Sequence, residues 1–140
     1  MRTLAGVQAG AVPYRVDDRG VLHVCLITNS QGGWIVPKGK IDAGHTARQA
    51  ARTECFEEAG LRGVLHRPVL GRYAYRKPGE PGPALRVRLY ALRVERELAS
   101  WPEQAWRRRR WMTLAEARRQ VAFRDLARVL VRVARLASRG

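Results

Sequence analysis

The order of apolar and polar positions divides the chain into strand-like and helix-like stretches. Leu4 to Val16 and Val21 to Thr28 read as two strands joined by Asp17-Asp18-Arg19-Gly20, a turn-forming cluster that suits a hairpin. Ser30-Gln31-Gly32-Gly33 breaks the pattern before the short segment Trp34 to Pro37, and Lys38 to Gly44 reads as a glycine-containing loop. A helix follows with both ends marked: Thr46 and Gln49 match a capping box, and Gly60 supplies the stop. Ala47, Ala51, Cys55 and Ala59 form a small-residue stripe on that helix, suited to close packing on a sheet. Val64 to Tyr75 and Leu85 to Arg96 read as long strands around the loop Lys77 to Pro83, and Trp106 to Met112 as a shorter one. Thr113 to about Ser138 reads as one or two helices with Leu114, Val121, Leu126, Leu130 and Val133 as the apolar face. Strands on either side of a helix, then further strands and terminal helices, predict a mixed α/β sandwich. At 140 residues the chain (1–140) is expected to be a single domain.

Charge adds a second layer. The chain carries 27 Lys+Arg against 12 Asp+Glu, a formal +15. Residues 1–70 hold nine basic and six acidic side chains, residues 71–140 eighteen and six, so the excess lies in the second half. Such a field concentrates phosphate-bearing ligands. Coding bias toward arginine, which supplies 24 of the 27 cations, accounts for the choice of Arg over Lys but not for the scarcity of acids. Cys25 and Cys55 lie in apolar-patterned segments without the pairing of a zinc site or disulfide framework, and read as reduced core thiols. No segment approaches the roughly 20 apolar residues of a membrane span, and no secretory run opens the chain, so a cytoplasmic protein without a membrane partner is expected.

Candidate chemistry concentrates at the end of the first helix. Glu54, Glu57 and Glu58 share one face at about 100° per residue, where like charges repel and the helix dipole disfavours anions. A hard cation such as Mg²⁺ or Mn²⁺ would offset both penalties; a solvated acidic face is the plain alternative. Counting from Gly39, the pattern G-x5-E-x7-R-E-U-x-E-E-x-G-U of the Nudix hydrolases falls on Gly39, Glu54, Cys55, Glu57, Glu58, Gly60 and Leu61 with correct spacing. His45 replaces the expected Glu and Thr53 the expected Arg. The chain thus resembles the Nudix family over a 23-residue box, with a strand order that agrees over most of its length.

That resemblance implies an α/β/α sandwich with a mixed sheet and a metal-dependent pyrophosphohydrolase. Divalent cations would be held by Glu54, Glu58 and the backbone carbonyl of Lys38, with Glu57 in the same cluster. Glu57 is the implied base for the attacking water and Glu54 the alternative. Arg15, Lys38, Gly39, Lys40 and Arg109 are the candidate substrate contacts. Trp34 to Pro37, Glu57 to Gly63 and Arg110-Trp111-Met112 before Leu114 to Ala117 resemble the diphosphoinositol polyphosphate phosphohydrolase branch, which also acts on dinucleoside polyphosphates. Pro37-Lys38-Gly39 is closer to the diadenosine tetraphosphate hydrolases. In the family the missing Glu and Arg belong to the network that orients the carboxylates, so His45 and Thr53 read either as a compensated swap or as a weakened site. The competing expectation is a non-catalytic or weakly active Nudix-fold module that holds RNA or another polyanion through its basic second half. Arg107 to Arg110, flanked by Trp106 and Trp111, is the densest basic run, and in a strand only half of it lines any one surface. The oligomeric state is not legible from the sequence.

Overall fold

The computed structural model of the protein describes residues 6–77 and 79–138. Leu4 and Ala5 of the first expected strand, Pro78 of the expected loop, and the ends of the 1–140 domain lie outside the described residues. Among the described residues eight strands form one sheet: β1 (Val7–Val16), β2 (Leu22–Thr28), β3 (Trp34–Ile35), β4 (Lys38–Lys40), β5 (Leu61–Leu65), β6 (Gly71–Tyr75), β7 (Leu85–Glu97) and β8 (Arg109–Thr113). β1 and β7 pair in parallel and every other pairing is antiparallel.

Alternation along the strands builds a core on each face of the sheet. Val12, Tyr14, Val24, Leu26, Val87 and Leu89 face the three terminal helices α2 (Leu114–Gln120), α3 (Arg124–Leu130) and α4 (Val133–Ala137), which contribute Ala117, Leu126, Leu130 and Val133. Ala9, Ala11, Cys25, Ile27, Tyr90 and Leu92 face α1 (Ala47–Glu54), whose Ala51, followed by Cys55 and Ala59, is fully buried. The small-residue stripe therefore does what its spacing implies, letting the helix backbone approach the sheet. Cys25 and Cys55 are buried free thiols, and burial pushes the Cys25 thiol up to about 12.

Four elements depart from the sequence pattern. Val64 to Tyr75 is two strands rather than one: Arg67 to Val69, with Pro68, leaves the ladder between His66 and Leu70, whose amides still donate to β7, and β5 and β6 lie end to end along the long β7. The terminal helical region divides into three. Trp106 to Arg108 precedes rather than joins β8, which is an edge strand on β2. The glycine loop begins with β4, whose Lys38, Gly39 and Lys40 pair with Gly10, Ala9 and Gln8. β1 thus pairs with β4 over its first half and with β2 over its second, where Tyr14 meets Val24. The change of partner forks the sheet beside the carboxylate helix.

Candidate active site at the fork of the sheet

The capping box is present, with Thr46 Oγ1 accepting from the Gln49 amide at 3.0 Å and Gln49 Oε1 accepting from the Thr46 amide at 2.8 Å. The other end of the helix differs from a plain α-helix: Cys55–Ala59 forms one π-helical turn, closed by Gly60 at φ 66°. A Cβ at Gly60 would also lie 2.8 Å from Trp101, so both conformation and space require glycine. Single π turns inside α-helices recur at functional sites, and this one carries Glu57 and Glu58.

Glu58 is 5% exposed. Its Oε1 accepts from the Lys38 amide at 3.1 Å and its Oε2 lies 3.2 Å from Arg107 Nη2. Arg107 is held in turn by Glu103 Oε1, 2.8 Å from Nε, and by the Thr28 carbonyl, 2.8 Å from Nη1. The segment carrying Glu103 docks on the π turn: the Glu103 amide donates to the Glu57 carbonyl at 3.0 Å and Trp101 Nε1 to the Glu58 carbonyl at 3.0 Å. Burial, then the nearby Glu58 and Glu57 carboxylates, push Glu54 up to about 8. Burial also raises Glu58, opposed by Arg107 and Lys38, and it lowers the Lys38 ammonium, opposed by Glu58.

Gly39 completes the pair, because a Cβ there would lie 2.1 Å from Glu54 Oε1. The absent side chain leaves the room in which the Glu54 carboxylate sits. Gly39→Ala is therefore expected to displace Glu54 and cost 10²-fold or more in kcat, with less than about 1.5 kcal/mol of stability lost because the clash is with the end of a flexible side chain; steady-state kinetics beside thermal denaturation separates the two.

Beside this pair a cleft of about 600 Å³ is lined by Lys38, Tyr75, Arg76, Lys77, Arg107 and Phe123, among others. Tyr75 and Phe123 rings lie 5.3 Å apart, and the Tyr75 hydroxyl donates to Gln8 Oε1 at 2.9 Å. Cations rim the cleft and aromatic rings line it.

Glu54, Glu58, Gly39 and Lys38 come together, and exposed Lys40 adjoins them on β4. Glu57 is half-buried and makes no side-chain hydrogen bond among the described residues, nor do three metal-ligating side chains cluster among them. Glu54 and Glu58 are the close pair, with the Glu57 carboxylate near enough to raise Glu54 as well. Arg15 stands elsewhere, about five residues or 16 Å along β1 from Gly10, with its guanidinium over Trp111 and 3.5 Å from Glu97. Arg109 is likewise corrected from substrate contact to structural tie: it donates to the Ala59 and Leu98 carbonyls at 2.9 and 2.6 Å, pairs with Glu97 and stacks on Trp101. Its neighbour Arg107 is the one that reaches the site. The signal for it was the spacing Glu103-x3-Arg107, two opposite charges one helical turn apart. His45 and Thr53 are exposed, so neither orients the carboxylates.

The donor set suits a hard divalent cation. The buried Glu58 and half-buried Glu54 place two carboxylates together with few partners, and Gly39 leaves space beside Glu54.

Residues 5–132 match the family model described as a NUDIX domain. Among curated relatives, Nudix hydrolase 16, mitochondrial, of Arabidopsis thaliana is 38% identical over 124 residues, covering 78% of this chain and 68% of that protein. Nudix hydrolase 13, mitochondrial, of the same plant is 33% identical over 128 residues, covering 78% and 63%. The chain thus spans about two thirds of the length of these relatives. A C. elegans Ap4A hydrolase in a binary complex superimposes with a TM-score of 0.75 at 22% identity, over 96% of this chain and 98% of that one. A mutT/nudix family protein from Listeria innocua gives 0.66 at 24% identity, over 99% and 97%. These two likenesses are of fold.

Proposed function

The chain belongs to the Nudix family, and from that premise we propose that it is a metal-dependent pyrophosphohydrolase cleaving a diphosphate linkage in a highly charged small molecule. The observation that carries this reading is the Glu54–Glu58 pair over Gly39, with Lys38 and Arg107 opening from it into a cationic cleft. Glu54, Glu58 and the Lys38 carbonyl would hold Mg²⁺ or Mn²⁺. Held there, such a cation would supply the positive charge that a diphosphate needs when its phosphorus–oxygen bond is cleaved.

The chain's own groups supply the rest. Lys38, Lys40 and Arg107 bind phosphate oxygens and fix the linkage against the carboxylates. Glu57, with its side chain free of hydrogen bonds among the described residues, takes the proton of the attacking water; Glu54 is the alternative base. Arg107 positions Glu58 and Glu103 at once.

Of the two substrate classes, dinucleoside polyphosphates are the better match, because the half-buried Phe123 in the cleft lining gives a nucleobase an aromatic ring to pack on, while Tyr75 beside it is buried beneath the Lys38 ammonium. The Ap4A hydrolase that shares the fold acts on such a molecule. Turnover of dinucleoside polyphosphates, nucleoside diphosphate sugars and diphosphoinositol polyphosphates with Mg²⁺ tests the reading. Hydrolysis abolished by chelation and restored by Mg²⁺, with preference for the dinucleoside polyphosphates, is the expected result. No turnover of any member, together with RNA binding that survives loss of the glutamates, would instead favour a non-catalytic module.

A further inference from the structure

Most guanidinium groups that reach inward have partners: Arg48 donates to the Leu65, His66 and Arg67 carbonyls, Arg132 to the Leu70 carbonyl, and Arg107 and Arg109 to the groups described above. Arg88 on the first half of β7 does not, and the exposed Arg72 of β6 and Arg86 stand beside it. Arg72 lies directly opposite Arg88 in the antiparallel pairing of β6 with β7, and Arg86 is two residues before Arg88 on the same strand. Residues paired across strands, and residues two apart, share a face. All three arginines therefore project from the side of the sheet that carries α1.

α1 covers the same face further along: Tyr90, two residues on from Arg88, lies beneath Arg48 of that helix. Ala9 pairs with Arg88, and Ala74 with Arg86, so the neighbouring side chains are short. Arg72 and Arg86 are exposed, and Arg88 is half-buried with its Nε sealed from solvent and without a hydrogen-bond partner. No carboxylate among the described residues pairs with any of the three. Like charges directly opposite on a sheet destabilise it, and an anion seated on the three guanidinium groups removes that penalty.

We infer that the Arg72–Arg86–Arg88 face is a binding site for an oligophosphate anion, separate from the carboxylate pair. Guanidinium forks match phosphate oxygens bidentately. The three groups span about 5 Å across the strands and about 7 Å along them, more than one phosphate covers. The buried Ala9 pairs with Arg88 on one side and on the other with Gly39, which lies beneath Glu54, so two strand spacings, about 10 Å, separate Arg88 from the carboxylate pair.

The test is titration of the full chain, freed of metal with EDTA, with inorganic tripolyphosphate and separately with orthophosphate, by calorimetry and by the arginine Nε–H resonances. Saturable tripolyphosphate binding that shifts Arg88 and Arg72, at least tenfold tighter than orthophosphate, is expected. Arg88→Gln and, independently, the surface change Arg72→Ala should each weaken it tenfold or more without altering kcat or KM. Unchanged affinity in Arg72→Ala, equal affinity for the two anions, or shifts confined to Lys38 and Arg107 would overturn the site. A parallel loss of turnover would overturn its separateness.

Discussion

Glu54→Gln should lower kcat by about 10³-fold while making the metal-free protein more stable at pH 8. Both effects follow from the place of one carboxyl over Gly39 and beside Glu58. A ligand oxygen that loses its charge no longer competes for a divalent cation, and losses of this size are typical when a group acts directly on the reacting centre. The gain in stability comes from the same crowding. Burial and two neighbouring carboxylates lift Glu54 from 4.5 to about 8. Between those values the folded protein holds a proton that the unfolded chain has released. Stability therefore falls as pH rises from about 4.5 to 8, and what is lost is the work of ionising Glu54 beside Glu58. Gln does not ionise and escapes that loss, on the order of 1–3 kcal/mol after solvent screening. Thermal denaturation in EDTA at pH 5 and pH 8 checks the sign: wild type should melt lower at pH 8 relative to the variant, with the two converging at pH 5. A variant no more stable than wild type at pH 8 would mean that the carboxylates are not crowded.

Arg107→Ala should act in the opposite direction on stability. Glu58 is 5% exposed and the Arg107 side chain 14%, so truncating the cation leaves a buried carboxylate with only the Lys38 amide as donor. Breaking a buried pair from one side costs about 3–5 kcal/mol, and here Glu103 loses its partner as well. Denaturant unfolding in EDTA measures the loss. Saturating Mg²⁺ should recover part of it, because a cation on Glu58 replaces the missing charge. Arg107→Lys should do less well than its charge suggests, since one ammonium cannot serve Glu58, Glu103 and the Thr28 carbonyl in the planes that a guanidinium fork reaches. A full loss of stability that Mg²⁺ leaves untouched would assign Arg107 a purely structural role.

Local signals were legible in the sequence where they decide local structure. The Thr46–Gln49 box, the Gly60 stop and the Ala51-Cys55-Ala59 stripe each act within a few residues and appear as expected. What was hidden depends on contacts across the chain. No periodicity shows that β7 is long enough to hold two strands end to end, so Val64 to Tyr75 looked continuous. The four-arginine run alternates as a strand should, yet Arg107 and Arg109, on the same side, have different fates. One meets the buried Glu58, the other the carbonyls of Ala59 and Leu98, and the difference is set by the docking of Trp101 and Glu103 on the π turn. Arg15 was drawn toward the site by charge alone; the register of β1 puts it at the far end of the strand.

The change of partner along β1 leaves one long ladder carrying two short ones. β1 pairs with β7 from Val7 to Tyr14, with β4 only from Gln8 to Gly10 and with β2 only from Tyr14 to Val16. The strand that carries Lys38 and Gly39 is thus tied to β1 by three residues, while β1 itself is held by eight. A ladder so short opens at lower cost than a long one, so β4 can part from β1 beneath Glu54 without the longer pairing letting go and with both cores left closed.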